Sequence, residues 1–184
     1  HAIGLETKKY HPNLVVLYVN AEQFVQQFLS SCNPQKNTRR DFIHFYQMID
    51  VLIIDDIQFL SGKKAATQEA FFHIFNHLQQ SGKQLIFASD KAPVELKDME
   101  PRLLSRFKWG LSVELTAPSY NTRLEIIKAK SQKDGIELPE DIIHFIASKV
   151  VGSVREIEGT LASLLAHATL CRETITMDLA QRLT

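Results

Sequence analysis

Residues 51–56, VLIIDD, place four consecutive branched apolar side chains directly before two carboxylates. An unbroken apolar run of this kind is typical of a strand covered on both faces, as in a parallel sheet with helices on each side. The loops that follow such strands gather around a ligand. Asp55 and Asp56 therefore suit a site where one carboxylate orients the water shell of Mg²⁺ and its neighbour polarises an attacking water. An ordinary strand followed by an acidic turn explains these six residues equally well.

Outward from residues 51–56, short apolar runs alternate with segments of helical period. The predicted strands are 14–19, 51–55, 85–88 and 111–115, and the predicted helices between them begin at Asn20 or Glu22, span 41–48 and span 67–80. Strands separated by helices of this length predict an α/β fold with a parallel, doubly wound sheet and helices on both faces.

The pattern changes from Ala117-Pro118 onward, where no further strand is convincing. The predicted helices of this part are 121–133, 139–150, 154–171 and 177–183. Ser153 suits the N-cap of the third of these helices, with Glu156 at the capping-box position. We therefore expect an α/β domain over residues 1–116, followed by a small all-α domain over residues 117–184.

The composition is that of an ordinary globular protein, with 45% hydrophobic and 23% charged residues among 184. Twenty-one basic and twenty-one acidic side chains cancel, so any contact with nucleic acid has to be local and weak, or made by a part of the protein outside this sequence. Cys32 and Cys171 lie far apart and lack metal-ligand spacing, which is typical of a reducing cytosol. No apolar run is long enough to span a bilayer and no signal peptide is visible, so we expect a cytoplasmic protein.

Two further sites carry polar side chains at positions suited to chemistry. Ser89-Asp90 closes the predicted strand 85–88, where it can meet a γ-phosphate or its attacking water, although a turn or N-cap is the commoner role of these residues. Arg102 and Arg106 share one face of a short helix, from which both can point outward toward a phosphate on a neighbouring subunit. A solvated or salt-bridged pair explains the two arginines without such a role.

Arg155 lies near the start of the predicted helix 154–171, where it can point back toward the α/β domain. An ion pair with Glu156 or Glu158 is the alternative. His73 and His77 share a helix face, as some metal ligands do, but no third ligand is evident and we predict surface histidines. Two aromatic groups are predicted to be core rather than base-stacking platforms: Phe71, Phe72 and Phe75, and Phe42, Phe45 and Tyr46.

Six stretches of the sequence occur together in one known family. They are HAIG (1–4), VLIIDDIQF (51–59), FFHIFNHL (71–78), ASD (88–90), RLLSRFKWGL (102–111) and SVREIEGTL (153–161). In this order and at this approximate spacing, they resemble the AAA+ domain of the DnaA family of bacterial replication initiators, over nearly the whole chain. The resemblance implies a P-loop NTPase-like core with a helical lid domain, and binding of ATP with Mg²⁺.

The resemblance also implies nucleotide-directed roles for four side chains. Asp55 and Asp56 match the family's Walker B pair, with Asp55 holding Mg²⁺ through water. Asp90 matches the sensor I position. Arg155 matches sensor II, the lid arginine that reads the γ-phosphate.

Five further residues match family positions that face other molecules. Arg106 matches the arginine finger, and Arg102 matches a neighbouring arginine that serves the same subunit interface and its nucleotide. Val25, with the basic pair Lys63 and Lys64, lies where the family contacts single-stranded DNA.

For the whole protein the resemblance implies slow ATP hydrolysis used as a switch, self-assembly into a helical filament on origin DNA, and duplex opening. Duplex DNA would be bound by a C-terminal helix-turn-helix domain and the replicative helicase or its loader by an N-terminal region, neither of which is in this chain. A regulator or helicase loader of the same fold, acting on another AAA+ protein, is the alternative. A scaffold that binds partners without nucleotide is a third hypothesis.

The sequence departs from the family pattern in several places. It has no GxxxxGK[ST] loop, and HAIG corresponds to the helix just after that loop. The strand before the loop, which lies mid-sheet in this fold, is missing too. Pro101 replaces an acidic residue, and the loop from Gly62 to Ala66 is one residue longer than expected. Because the chain begins at His1 without a methionine, we expect it to be part of a longer protein. Because the missing loop supplies the backbone N–H donors and the lysine that hold the phosphates, we expect this chain by itself to bind ATP poorly or not at all.

Overall fold

The computed structural model describes residues 1–32, 38–171 and 174–184. Its strands are β1 (Val16–Asn20), β2 (Val51–Asp55) and β3 (Gln84–Phe87). Its helices are α1 (Ala2–Tyr10), α2 (Ala21–Ser31), α3 (Arg39–Gln47), α4 (Ala65–Gln80), α5 (Pro101–Phe107), α6 (Tyr120–Lys133), α7 (Glu140–Lys149), α8 (Val154–Cys171) and α9 (Met177–Leu183), with short 3₁₀ helices at Ile57–Leu60 and Pro93–Glu95. The described chain divides into two compact units, His1–Ser112 and Val113–Thr184.

The first unit is built on a parallel sheet of order β1-β2-β3. Val16 of β1 pairs with Val51 of β2, which pairs in turn with Gln84 of β3. Helices α2 and α3 cross from β1 to β2, and α4 crosses from β2 to β3, as parallel neighbours require. The predicted parallel α/β sheet is confirmed.

The central strand β2 is covered on both faces. Leu52 and Ile54 are fully buried in the main core, together with the inward side chains of α2 and α4. Ile53 lies on the opposite face against α1, where a Cβ added to Gly4 would stand 2.9 Å from its Cδ1 atom. Because both faces of β2 are buried, its sequence shows continuous rather than alternating hydrophobicity.

Two details of the predicted first unit are wrong. Residues 111–115 form no strand, and Leu111 and Leu115 are each 93% exposed. A strand needs a hydrogen-bonded neighbour, and no described strand pairs with this segment. Phe45 is also not core, because it lies on the outer side of α3 and is 48% exposed, whereas Tyr46 beside it is buried.

The described residues of the second unit contain helices and no strand, and they form a core of their own. Ile127 of α6, Ile146 of α7, and Ile157, Leu161 and Leu164 of α8 are buried together there. No described helix is both long and apolar enough to cross a membrane.

The N-terminus of α8 is capped by the Ser153 hydroxyl, as the sequence predicts, although the Glu156 carboxylate bonds that hydroxyl and not the Ser153 N–H of a full capping box. The Ser153 hydroxyl accepts the Glu156 N–H at 3.2 Å and donates to the Glu156 carboxylate at 3.1 Å. Satisfying this amide fixes where the helix begins.

The Asp50 side chain bonds the residues that directly precede β1 and β3. Its carboxylate accepts hydrogen bonds from Lys83 Nζ at 2.5 Å and from the Val15 N–H at 2.8 Å. The Lys83 hydrogen bond, followed by that from Val15, lowers the pKa of Asp50 below its usual value of 3.8. The ionised carboxylate therefore stabilises the folded state.

We expect Asp50→Asn to lower the free energy of unfolding at pH 7 and to lose this effect in acid. Because the folded pKa is depressed, the stabilisation is complete above the unfolded pKa and disappears as pH falls through the folded value. Urea unfolding at several pH values measures this difference, with Glu69→Gln on α4 as an exposed acidic control. If the difference in free energy of unfolding between wild type and Asp50→Asn stays constant down to low pH, the ionised Asp50 carboxylate is not the source of the stabilisation.

Candidate functional site

The two carboxylates lie at the carboxyl end of β2, beside β1. The Tyr18 hydroxyl donates to Asp55 Oδ2 at 2.6 Å, and the Asp56 N–H donates to Asp55 Oδ1 at 3.0 Å. Both aspartates are half-buried. These bonds fix the orientation of the Asp55 carboxylate and leave each of its oxygens one lone pair for a ligand.

Asp56 adopts a backbone conformation that side-chain-bearing residues rarely use. Its φ and ψ are 54° and 45°, in the left-handed region, which asparagine and aspartate tolerate better than other residues. The Ile57 N–H donates to the Ala88 carbonyl at 3.0 Å, so the turn is held against the loop after β3. Strain of this kind persists where surrounding contacts impose it, most often at functional sites.

Gln58 links the two strand ends. Its Nε2 atom donates to Asp56 Oδ1 at 3.1 Å, and its Oε1 atom accepts from the Ser89 hydroxyl at 3.2 Å. Ser89 Oγ also accepts the Lys91 N–H at 3.1 Å, which is the turn role considered for it from the sequence. Sequence reasoning assigned no role to Gln58 or Tyr18, because their importance comes from partners that are not evident from local sequence pattern.

Asp90 follows Ser89 and is exposed. The described residues contain no group of three or more His, Cys, Asp or Glu side chains that could hold a metal ion. His73 and His77 are exposed on α4, so the predicted surface location is confirmed. A pair of carboxylates without a full ligand cage fits Mg²⁺, which keeps several waters and takes further oxygens from phosphates.

The two candidate arginines lie on α5, which packs on α4. Arg102 donates to Glu100 at 2.5 Å, and its guanidinium lies 4.4 Å from the centre of the Phe72 ring. Arg106 donates from Nη1 to Gln79 Oε1 at 3.1 Å and is half-buried. Neither guanidinium is therefore free of partners within the chain: Arg102 forms the ion pair that the sequence offered as the alternative, and Gln79 holds one nitrogen of Arg106.

The remaining nitrogens of Arg106 have no hydrogen-bond acceptor among the described residues. No ion pair joins either arginine to Asp55, Asp56 or Asp90 in the described part of the chain.

The basic pair lies in the loop between the first 3₁₀ helix and α4. Gly62 has a φ of 92°, a left-handed turn that favours glycine. Lys63 is exposed, and Lys64, at the N-cap of α4, donates to the Phe59 carbonyl. Val25 is only 8% exposed and packs in the main core, so its side chain offers little surface to a DNA strand.

Arg155 lies in the first turn of α8 and is exposed. The proposed ion pairs with its neighbours are not formed, because Glu156 bonds Ser153 and Glu158 bonds Lys130. The Lys130 hydrogen bond is the main cause of a lowered Glu158 pKa, to which the Arg155 charge adds. The guanidinium therefore remains open to a ligand.

Comparisons with known proteins agree on one family. A sequence model of the bacterial DnaA ATPase domain matches residues 1–114. The chromosomal replication initiator protein DnaA of Flavobacterium psychrophilum is 54% identical over 182 residues, which are 99% of this chain and 37% of that protein. This chain thus spans little more than a third of its relative.

Solved structures agree with this match. The crystal structure of domain III of the Thermotoga maritima replication initiation protein DnaA has a TM-score of 0.93 and 33% identity, and the match covers 99% of this chain and 75% of that one. A replication initiator DnaA bound to AMPPCP and single-stranded DNA has a TM-score of 0.80 and 36% identity, covering 98% and 52%.

Proposed function

This chain belongs to the bacterial DnaA ATPase family, and we propose that it is the nucleotide switch of an initiator of chromosomal replication. In the complete gene product, the ATP-bound form assembles on origin DNA and promotes duplex opening, and hydrolysis ends that state. We assign residues 1–116 to the nucleotide-binding core and 117–184 to the lid. The relatives named as initiators favour this function over that of a regulator or helicase loader.

The observation that carries the proposal is the bonded group of side chains at the ends of β2 and β3. Asp55 is oriented by Tyr18, while Asp56 and Ser89 share Gln58. A P-loop NTPase needs a metal-directed carboxylate and a water-directed one at this edge of its sheet. Related chains have been solved with the ATP analogue AMPPCP, which supports ATP as the ligand.

Each polar residue of this group has a proposed role toward Mg²⁺·ATP. Asp55 would hold the metal through a water molecule, and bound Mg²⁺ would neutralise charge on the phosphate oxygens. Asp56 would accept a hydrogen bond from the attacking water. Asp90 would contact the same water where it approaches the γ-phosphate. Gln58, which donates to Asp56 Oδ1, would keep the other carboxylate oxygen directed toward the water.

Arg155 is the proposed sensor of the γ-phosphate, because its guanidinium is exposed and has no ion pair within the described chain. We expect Arg155→Ala to lower the preference of the complete gene product for ATP-dependent over ADP-dependent assembly by about tenfold, the effect of one charged hydrogen bond. Light scattering with each nucleotide measures this ratio.

Arg182→Ala is the matched control for that experiment. Arg182 is also an exposed arginine of the second unit, and it pairs with Asp178 at 3.3 Å. We expect this variant to keep the wild-type ratio. If Arg155→Ala distinguishes ATP from ADP as well as wild type does, Arg155 has no sensor role.

Single-stranded DNA is the proposed second ligand, bound at the loop that carries Lys63 and Lys64. A relative has been solved with single-stranded DNA bound. With a net charge of zero, one subunit offers few phosphate contacts, whereas a filament repeats a weak site along the strand and gains by avidity. Val25 adds at most a minor apolar contact, given its burial.

The remaining partners follow from the same family role. We propose a cytoplasmic location, duplex origin DNA bound by a C-terminal domain, and the replicative helicase or its loader bound by an N-terminal region. Arg102 and Arg106 would face the nucleotide of the next subunit in the filament.

A further inference from the structure

One buried polar side chain connects the basic loop to the arginine helix. Gln68 of α4 is 2% exposed. Its Nε2 atom donates to the carbonyls of Leu60 at 2.9 Å and Gly62 at 3.3 Å, and to that of Asp98 at 3.0 Å. Its Oε1 atom accepts the Glu100 N–H at 2.8 Å. A single amide therefore satisfies backbone groups of two loops that are separate in sequence.

One of these loops leads into the lysines proposed to bind single-stranded DNA, and the other leads into the helix with the arginines proposed to face a neighbouring subunit. Leu60 and Gly62 precede Lys63 and Lys64, and the Gln68 N–H itself closes the first turn of α4 on the Lys64 carbonyl at 2.9 Å. Asp98 and Glu100 lead directly into the helix that carries the two arginines. Any shift of the Gln68 amide therefore moves both the loop before Lys63 and the start of α5.

The loops are also joined to each other directly. The Gly62 N–H donates to the Asp98 carbonyl at 3.2 Å. Asp98 has a φ of 55°, a left-handed conformation that costs free energy unless its surroundings impose it. The Gln68 amide holds the carbonyl of this same residue, and so helps to maintain the strained turn before α5.

We propose that Gln68 is a positioning residue that couples the single-stranded DNA surface at Lys63–Lys64 to the inter-subunit arginines on α5. This inference rests on the proposed function of both elements. Because buried amide networks have few alternative arrangements, a movement of the basic loop on DNA is transmitted to the start of α5, and a movement of α5 at a subunit interface is transmitted back. Gln68 itself contacts neither ligand.

Gln68→Met in the complete gene product tests the coupling, because methionine keeps the length and removes all four bonds. We expect affinity for an oligo-dT strand, measured with assembled protein, and ATP-dependent assembly each to fall at least about tenfold, since small misplacements of a binding group have effects of this size. ATP affinity of the single subunit should stay within about twofold of wild type. A loss of ATP affinity equal to the other two losses would indicate a general defect and overturn the proposal.

Two further variants keep the test decisive. Ile74 on the same helix is fully buried, and its apolar side chain makes no hydrogen bond to either loop. At a comparable loss of stability, Ile74→Val should therefore retain both DNA affinity and ATP-dependent assembly. Gln68→Glu keeps the acceptor for the Glu100 N–H and replaces the donor, which provides a second variant if the methionine variant does not fold. We expect the glutamate variant to lose both activities as well.

A double-mutant cycle separates positioning from simple destabilisation. If Gln68 acts through the basic loop, Lys63→Ala should add little to the loss of DNA affinity in the Gln68→Met protein, because coupled residues are not additive. Additive losses would overturn the inference. If Lys63→Ala, Lys64→Ala and Arg106→Ala have no effect in the otherwise wild-type protein, the proposed function itself fails, which is a distinguishable outcome.

Discussion

We expect Arg106→Ala to abolish ATP-dependent assembly of the complete gene product while each subunit still binds ATP. In the proposed role, the arginine neutralises phosphate charge across a subunit interface and contributes nothing to the nucleotide site of its own chain. Loss of a buried charge partner at an interface costs at least about 2 kcal/mol, or about 30-fold in affinity. Sedimentation with ATP and origin DNA measures the assembly, and calorimetry measures the binding of ATP. Arg102→Ala should weaken assembly in the same direction.

Two control variants separate an interface role for Arg106 from a role within the chain. Gln79→Ala removes the acceptor that holds Arg106 Nη1 but leaves the guanidinium in place, so assembly should persist. Lys108→Ala removes an exposed cation two residues along, and assembly should again persist. If Gln79→Ala and Arg106→Ala are equally defective, Arg106 acts by packing α5 on α4. Normal assembly by Arg106→Ala would make it a surface residue.

The second large effect is expected at the two carboxylates. Asp56→Asn should slow ATP hydrolysis by about 100-fold or more, the usual contribution of a group that orients or deprotonates a nucleophile, with a smaller effect on ATP affinity. Asp55→Asn should instead impair the Mg²⁺-dependent part of nucleotide binding, because that carboxylate is assigned to the metal. Single-turnover hydrolysis and nucleotide titrations with and without Mg²⁺ measure the two effects separately.

Both substitutions suit the local structure, so their effects can be attributed to chemistry. Asparagine tolerates the left-handed backbone of Asp56, and at position 55 its single carbonyl oxygen can still accept one of the two bonds that Asp55 accepts from Tyr18 and from the Asp56 N–H. Tyr18→Phe removes the hydroxyl that orients Asp55 and keeps both carboxylates, so it should have a smaller effect than either aspartate substitution. Unchanged turnover in both aspartate variants would refute the assignment of this strand end.

Much of the fold follows from local sequence pattern. The unbroken apolar run of β2 predicts a strand buried on both faces, and the structure places α1 on one face and α2 with α4 on the other. Asn20 and Ser153 predict helix starts, and both cap their helices through side-chain oxygens. These features depend on neighbouring residues in the chain, which is why periodicity and capping detect them.

The features that were missed depend on distant residues. Residues 111–115 have the composition of a strand, but strand formation also requires a neighbour, which local pattern does not reveal. Gln58 and Gln79 gain their importance from partners on other elements. Gln68 did leave a signal, since it has helical spacing with Phe71, Phe75 and Leu78 on the buried face of α4. A polar side chain at such a position requires buried partners.

The most direct test of the central claim, that this family member switches assembly by nucleotide state, compares two samples of the wild-type complete gene product on origin duplex. One sample is saturated with Mg²⁺ and a non-hydrolysable ATP analogue, and the other with Mg²⁺ and ADP. Analytical ultracentrifugation should find large multi-subunit complexes with the analogue, and mainly unassembled protein or small complexes with ADP. Equal distributions with the two nucleotides would contradict the account.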